Sequence, residues 1–393
     1  MDPFDTPTDN KVIDGFPCPF AVSEFWTSRQ RQSNRIHQVS YRACFKPELA
    51  RYFIERYSAP GDIVYDPFAG RGTTAIESAL LDRQVVANDI NPLSRQLCEP
   101  RLRIPNPDDV ADRLNAIPDL PSLRPDIDLS MFYHQRTLTE ILSLRAYLVE
   151  RRLSGVEDIV DGWLRMVATN RLTGHSPGFF SVYTLPPNQA VRPDRQARIN
   201  RQRGQTPDYR DIRQLIIKKT RQLLSGLTAN EIARLKRIGD NARFYCEPAD
   251  ATAAIKTGSV QLTVTSPPFL DVVQYADDNW LRCWFNGIDA QAVESRLTMA
   301  RTVDDWSRTM ANVFRELHRI TTDGGVVAFE VGEVRGGRVR LHESVGPIAR
   351  GAGFHSDGVL INEQTFTKTA NVWGVSNDGR GQNTNRGVVM RKR

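Results

Sequence analysis

The chain has no C-x-x-C pair, and its five cysteines, Cys18, Cys44, Cys98, Cys246 and Cys283, lie far apart with no histidine cluster beside them. That spacing argues against a structural zinc site and a disulfide framework, and predicts no metal and a reducing, cytoplasmic setting. No uncharged apolar run comes near the roughly eighteen residues of a membrane-spanning helix. The opening MDPFDTPTDNK is acidic and polar, which argues against a secretion signal. No G-K-[ST] follows the glycine-rich stretch described below, which removes a P-loop. No internal repeat is evident. What is there is an ordinary globular composition: 393 residues, 40% hydrophobic and 25% charged. That is enough for two or three domains, or for one large domain with an insertion.

The net charge of +6 is unevenly spread. Between Val191 and Arg221 stand Arg192, Arg195, Arg198, Arg201, Arg203, Arg210, Arg213, Lys218, Lys219 and Arg221, against only Asp194, Asp208 and Asp211. This one stretch exceeds the charge of the whole chain. Such a cluster neutralises phosphates and gives salt-sensitive affinity for nucleic acid. The competing reading is a solvated helical face.

Along the chain, KPELARYFIERY has helical spacing with Leu49, Phe53 and Ile54 on one side, and Pro60-Gly61 ends it. DIVYDPF then reads as a buried strand, TTAIESALLDR as a helix and QVVANDINP as a second strand. From about residue 101 to 240 the texture becomes helical, in RTLTEILSLRAYLVERRL and IRQLIIKKTRQLLSGL, around the loop SPGFFSVYTLPPNQAVRP. Alternation resumes with NARFYCEPAD, SVQLTVTSPPF, the helix around WSRTMANVFRELHRI, the strand GVVAFEVGEV and a final GVVMRK. The last forty or so residues, rich in Asn, Gly and Thr, read as turns and hairpins. The division expected is residues 1–100 and 241–393 as two parts of one α/β domain, with 101–240 as a helical, basic insertion.

Two stretches carry chemistry. In DPFAGRGTT, Gly70 and Gly72 follow a strand and precede a helix, where a bare backbone turns tightly and approaches a ligand closely. Asp89 closes the next strand, a suitable place to accept hydrogen bonds from ribose hydroxyls. The pair suggests a nucleoside-bearing cofactor. NAD stays open, because the sixth position of G-x-G-x-x-G holds Ala75, which that fingerprint tolerates. In the second stretch, TSPPF, a β-branched run is stopped by Pro267 and Pro268, giving a stiff turn at a strand's carboxyl end, where open α/β sheets bind ligands.

Taken together, D-P-F-A-G-R-G-T-T, the strand-ending Asp89 and T-S-P-P-F resemble the S-adenosylmethionine-dependent amino-methyltransferases of DNA, which include the N4-cytosine and N6-adenine modification methylases. The resemblance covers about residues 35–100 and 240–393. It implies an α/β, Rossmann-like methyltransferase fold with a mostly parallel central sheet, interrupted here by the basic insertion. It implies S-adenosyl-L-methionine as cofactor, held by Asp66, Phe68, Ala69, Gly70, Gly72 and Thr73, with Asp89 on the ribose and Asp250 of EPADA near the adenine. SYRACFKPELARYFI is similar to the family's motif that leads into a helix ahead of the glycine loop and helps hold the methionine end.

By the same resemblance Ser266, Pro267, Pro268 and Phe269 are catalytic, and serine at the first position is more typical of N4-cytosine enzymes. Ser266 Oγ and the Pro267 carbonyl would accept from the amino protons of the base, and Phe269 would stack on it. The implied partner is double-stranded DNA with the target base flipped out, and a cognate restriction endonuclease is admitted. Within that reading the basic stretch becomes a DNA-contacting element, with Arg192, Arg195, Arg198, Arg201, Arg203, Lys218 and Lys219 on phosphates. Trp373 and Asn371 become candidates for supporting the flipped base. Competing readings are an N6-adenine methylase, an RNA N2-guanine methylase and a non-catalytic DNA-binding protein on the same fold. A decoy, DGFPCPF around Cys18, is similar to the P-C nucleophile motif of C5-cytosine methyltransferases. It stands before the glycine loop, and no Glu-Asn-Val segment accompanies it.

Overall fold

The computed structural model describes residues 3–5, 8–13, 16–23, 25, 34–41, 44–185, 191–268, 270, 275–297, 300–334, 339–365 and 382–393. The strands are β1 (Asp9–Ile13), β2 (Phe16–Ser23), β3 (Ile63–Asp66), β4 (Gln84–Asn88), β5 (Arg243–Tyr245), β6 (Val260–Thr265), β7 (Thr321–Val331), the short pair β8 (Glu333–Val334) and β9 (Val339–Arg340), β10 (Phe354–Thr365) and β11 (Gln382–Lys392). Nine of them form one sheet in the order β1-β2-β10-β11-β7-β6-β3-β4-β5. From β5 to β7 every pairing is parallel. β11 runs antiparallel between β7 and β10, and β2 lies parallel to β10. From β3 the chain goes outward to β4 and β5, then returns to the other side of β3 for β6 and β7. The order therefore reverses between β3 and β6, a topological switch point of the kind at which open α/β sheets bind ligands.

The central strands read as apolar runs because both faces are covered. On one face lies α1 (Pro47–Tyr57), whose Leu49, Phe53 and Ile54 pack with Val64, Leu262, Val264 and Ala328. Pro47 sits in its first turn, where a missing N–H costs nothing. The other face holds α12 (Val303–Ile320), burying Trp306, Met310, Val313, Phe314, Leu317 and Ile320 against Tyr65, Val327 and Phe329. Each such side chain contributes roughly 2 kcal/mol.

Between β4 and β5 the chain forms α3 (Pro92–Cys98), α4 (Pro107–Ala116), α5 (Gln135–Leu153), α6 (Ile159–Arg171), α7 (Pro193–Arg203), α8 (Ile212–Leu224) and α9 (Ala229–Gly239), with α2 (Thr73–Leu80) in the preceding β3–β4 crossover. The helical segment shares one apolar cluster with the sheet: Trp163, Leu144, Ile216 and Leu235 belong with Ala75, Ile76, Val85 and Ala87. The expected insertion is thus an enlarged crossover packed on the sheet through α2. After β6 come α10 (Tyr275–Asn286), α11 (Ala290–Glu294) and, following β9, α13 (Leu341–Gly351).

The sequence reading anticipates β3 to β7, α1, α2, α5, α8, α12 and the final strand. It differs at the ends of the chain. β1 and β2 were not expected, since Pro17 and Pro19 interrupt the run, yet prolines are tolerated near a sheet margin. The last forty residues, expected as turns and hairpins, supply the antiparallel pair β10–β11, whose strands are longer than the short final strand GVVMRK that the sequence suggests. Gly358 marks a bulge in β10 at φ 154°, where a Cβ would meet Phe4 and the Pro19 carbonyl.

Candidate active site

Asp66 ends β3 and is buried. Its Oδ1 accepts from Thr265 Oγ1 at 2.6 Å and from the Phe68 N–H at 3.1 Å. Among the described residues its Oδ2 has no hydrogen-bond partner. Burial pushes this carboxyl up to about 7, against the opposing hydrogen bonds. The loop that follows is stitched to the sheet, with the Ala69 N–H donating to the Asn88 carbonyl at 2.9 Å and Thr74 Oγ1 to the Val264 carbonyl at 2.9 Å. Gly70 and Gly72 have φ of 51° and 78°, where an L side chain is strained. A Cβ on Gly72 would also collide with Cys98. Phe68 is half-buried, while Ala69 and Thr73 are buried.

Asp89 stands one residue past β4. Its Oδ2 accepts from the Gly70 N–H at 2.8 Å and its Oδ1 from the Asn91 N–H at 2.9 Å, so the acid and the glycine loop are locked together. Burial raises this carboxyl to about 6. Asn91 caps α3 through the Leu93 N–H and donates from Nδ2 to Tyr41 Oη at 2.7 Å. The Tyr41 ring lies 3.5 Å from where a Cβ on Gly70 would be. Asp250 sits exposed in the turn after β5.

Beyond β6, Ser266 is half-buried, Pro267 buried and Pro268 exposed, with the Pro268 carbonyl accepting from Trp306 Nε1 at 3.1 Å. Phe269, Asn371 and Trp373 lie outside the described residues. Because Thr265 bonds Asp66, the glycine loop and the S-P-P turn leave the sheet side by side. Phe329 of β7 pairs with Thr265, and the next residue along β7, Glu330, is buried. Sequence reasoning gave no role to Asn91, Thr265 or Glu330, and reached Tyr41 only as part of the stretch SYRACFKPELARYFI. A carboxylate inside the apolar run GVVAFEVGEV was a usable signal for Glu330.

Among the basic residues, α7 carries Arg195, Arg198, Arg201 and Arg203, all exposed. Arg192, at its N-cap, pairs with Asp277 in the first turn of α10 at 2.6 Å. Arg198 pairs with Asp194 at 3.2 Å, and the Arg203 guanidinium lies 3.8 Å from the centre of the Tyr183 ring. Lys218 is exposed on α8. Lys219 departs from the expected exposed run: successive helical residues point about 100° apart, and Lys219 turns inward, 5% exposed. Burial, then Arg171 and Arg101, lower its ammonium to about 7. Cys18 is buried in β2, with β10, β11 and β7 between it and β6, and burial raises its thiol. That is the wrong place and the wrong state for a nucleophilic thiolate. Among the described residues no group of three or more His, Cys, Asp or Glu side chains could hold a metal ion, and no helix is long and apolar enough to cross a membrane.

Residues 14–97, which hold α1, β3, the glycine loop and Asp89, match the family model described as DNA methylase. Over 90 residues the chain is 29% identical to the type II methyltransferase M.MjaII of Methanocaldococcus jannaschii, covering 23% of this chain and 17% of that protein. Over 83 residues it is 35% identical to the type II methyltransferase M.MthZI of Methanothermobacter thermautotrophicus, covering 20% of this chain and 23% of that one. The matched stretch thus spans less than a quarter of either relative. Among solved structures, TrmN from Thermus thermophilus aligns with a TM-score of 0.34 at 12% identity, over 92% of this chain and 53% of that one.

Proposed function

We propose that this chain, whose residues 14–97 match the family model of the N6/N4 DNA methylases, is an S-adenosylmethionine-dependent DNA amino-methyltransferase whose target is the N4 amino group of cytosine. The observation that carries this reading is the hydrogen bond from Thr265 to Asp66. It ties the carboxyl ends of β3 and β6 together at the sheet's reversal, so the glycine loop and the S-P-P turn open on one crevice.

The residues present fit the cofactor. Asp66 Oδ2 is a buried acceptor with no donor among the described residues, suited to an ammonium group. Each Asp89 oxygen takes one N–H, which leaves acceptor sites for a pair of hydroxyls. Gly70 and Gly72 keep the loop free of side chains. When bound, S-adenosylmethionine supplies a methyl group on a positively charged sulfur.

The chain's own task is to make a poor nucleophile attack. An exocyclic amine is delocalised into its ring, and acceptors on both of its protons favour a pyramidal nitrogen with an exposed lone pair. Ser266 Oγ and the Pro267 carbonyl are those acceptors, and the two prolines fix their direction before the base arrives. Trp306 holds the same turn from behind through the Pro268 carbonyl. A stacked base cannot reach such a crevice, so the target nucleotide is flipped out, at a cost of roughly a few kcal/mol. Serine rather than aspartate at position 266 is what favours cytosine. The Arg192–Asp277 pair supports a DNA-contacting role for α7, because it fastens that arginine-rich helix to the helix that follows the S-P-P turn.

The test is to treat plasmid DNA with the protein and cofactor, digest it to nucleosides and weigh them. N4-methylcytosine is expected. N6-methyladenine would reassign the target, and unmodified DNA would overturn the reading.

A further inference from the structure

Segment 34–41 runs from the helical crossover to the glycine loop, and most of what holds it grips its backbone carbonyls. Arg101 donates to the Ile36 carbonyl at 3.2 Å. Arg71 Nη1 donates to the carbonyls of His37 at 3.2 Å and Val39 at 3.3 Å. Asn170 and Arg282 both donate to the Ser40 carbonyl, each at 3.1 Å. At the far end, Asn34 reaches the Gly226 carbonyl and Arg35 reaches Ser225 Oγ just past α8, while Gln222 bonds Gln38. His37 is buried against Glu77 at 2.7 Å, and Glu77 also takes Arg51 at 2.9 Å. Apart from the single turn Arg35–His37, the segment has no regular structure of its own, so these side chains do what a ladder would do elsewhere. It leads directly into Tyr41, whose ring lies against Gly70 and whose hydroxyl accepts from Asn91.

We propose that Arg71, the residue between the two glycines, is a positioning residue for the cofactor: it pins segment 36–40, and that segment holds Tyr41 against the wall formed by Gly70, Asp89 and Asn91. The proposal rests on the reading of the glycine loop as the S-adenosylmethionine site. Arg71 acts through the strap because its guanidinium is already engaged by the protein. Nη1 is shared by two carbonyls, Nε faces Thr73 Oγ1 at 3.3 Å, and its own carbonyl accepts from Arg101. Both carbonyls are held by Nη1, whose two N–H groups are fixed in the guanidinium plane, whereas a lysine ammonium keeps the charge on a shorter stem without that fixed direction.

The test is a double-mutant cycle read as the dissociation constant of S-adenosylmethionine by calorimetry on the full chain. Arg71→Ala and Tyr41→Phe are each expected to weaken binding about fivefold, and the double variant by no more than about twice the worse single, since both remove one linkage. Arg71→Lys, which keeps the charge, should lose about threefold and provides the reading if the alanine variant does not fold. At saturating cofactor the turnover of these variants should stay within about twofold of the parent, so that the loss sits in KM. Losses that multiply in the double variant, or parental affinity in the Arg71 variants, overturn the proposal while leaving the cofactor site intact. A parent protein that binds no S-adenosylmethionine overturns the glycine-loop reading, and this inference with it.

Discussion

Asp66 is the most informative single residue, because it is buried, half-satisfied and held near neutrality in its titration. Its carboxyl, ordinarily near 3.8, is raised to about 7 by burial. A raised acid contributes stability below its unfolded value and loses it as pH rises through the folded value. The thermal midpoint of the ligand-free protein should therefore fall between about pH 4 and pH 7 more steeply than that of Asp66→Asn. Binding has the opposite sign. A ligand ammonium needs the carboxylate, so affinity for S-adenosylmethionine should rise from pH 6 to pH 8 in the parent, and calorimetry should find it weaker and flatter in Asp66→Asn. At Ser266 the effect belongs to chemistry: Ser266→Ala should cost about a hundredfold in turnover, with cofactor affinity within about twofold. Gly70, Gly72, Asp89 and Ser266 were legible in the sequence because each belongs to a local motif. Thr265, Asn91 and Glu330 were not, because their roles depend on which strands become neighbours, and Tyr41 was legible only as part of the stretch SYRACFKPELARYFI.

Among the elements, α7 and α8 divide a basic stretch that looks uniform in the sequence. Arg198, Arg201 and Arg203 line the exposed side of α7, while Lys219 on α8 is buried. Neutralising the three arginines should lower the slope of log affinity for duplex DNA against log salt by roughly 0.9 for each phosphate that is no longer neutralised. Lys219→Met should leave that slope unchanged, and a shift in it would return Lys219 to the interface. Helical phase decides this division, and the run of like charges conceals it. The same limit applies to β2 and β10: prolines and a glycine bulge mask strands that exist because neighbours across the sheet complete them.

For the whole molecule, the alternation of apolar runs suggested strands and helices interrupted by a helical piece, and the resemblance to the amino-methyltransferases implied that the sheet is mostly parallel. Neither revealed that the piece shares its core with α2, Val85 and Ala87. Deleting residues 107–239 should therefore uncover α2, Val85 and Ala87 and abolish cooperative unfolding. A sharp thermal transition in the deletion protein would mean that the two parts fold apart. The central claim, a switch-point crevice that methylates an amino group, is tested most directly by supplying cofactor with an isotope-labelled methyl group to the parent protein and duplex DNA lacking prior modification, then identifying the labelled nucleoside by mass spectrometry. The account predicts label on the N4 nitrogen of cytosine and almost none with Ser266→Ala. Label on cytosine carbon 5, or undiminished transfer by Ser266→Ala, would contradict it.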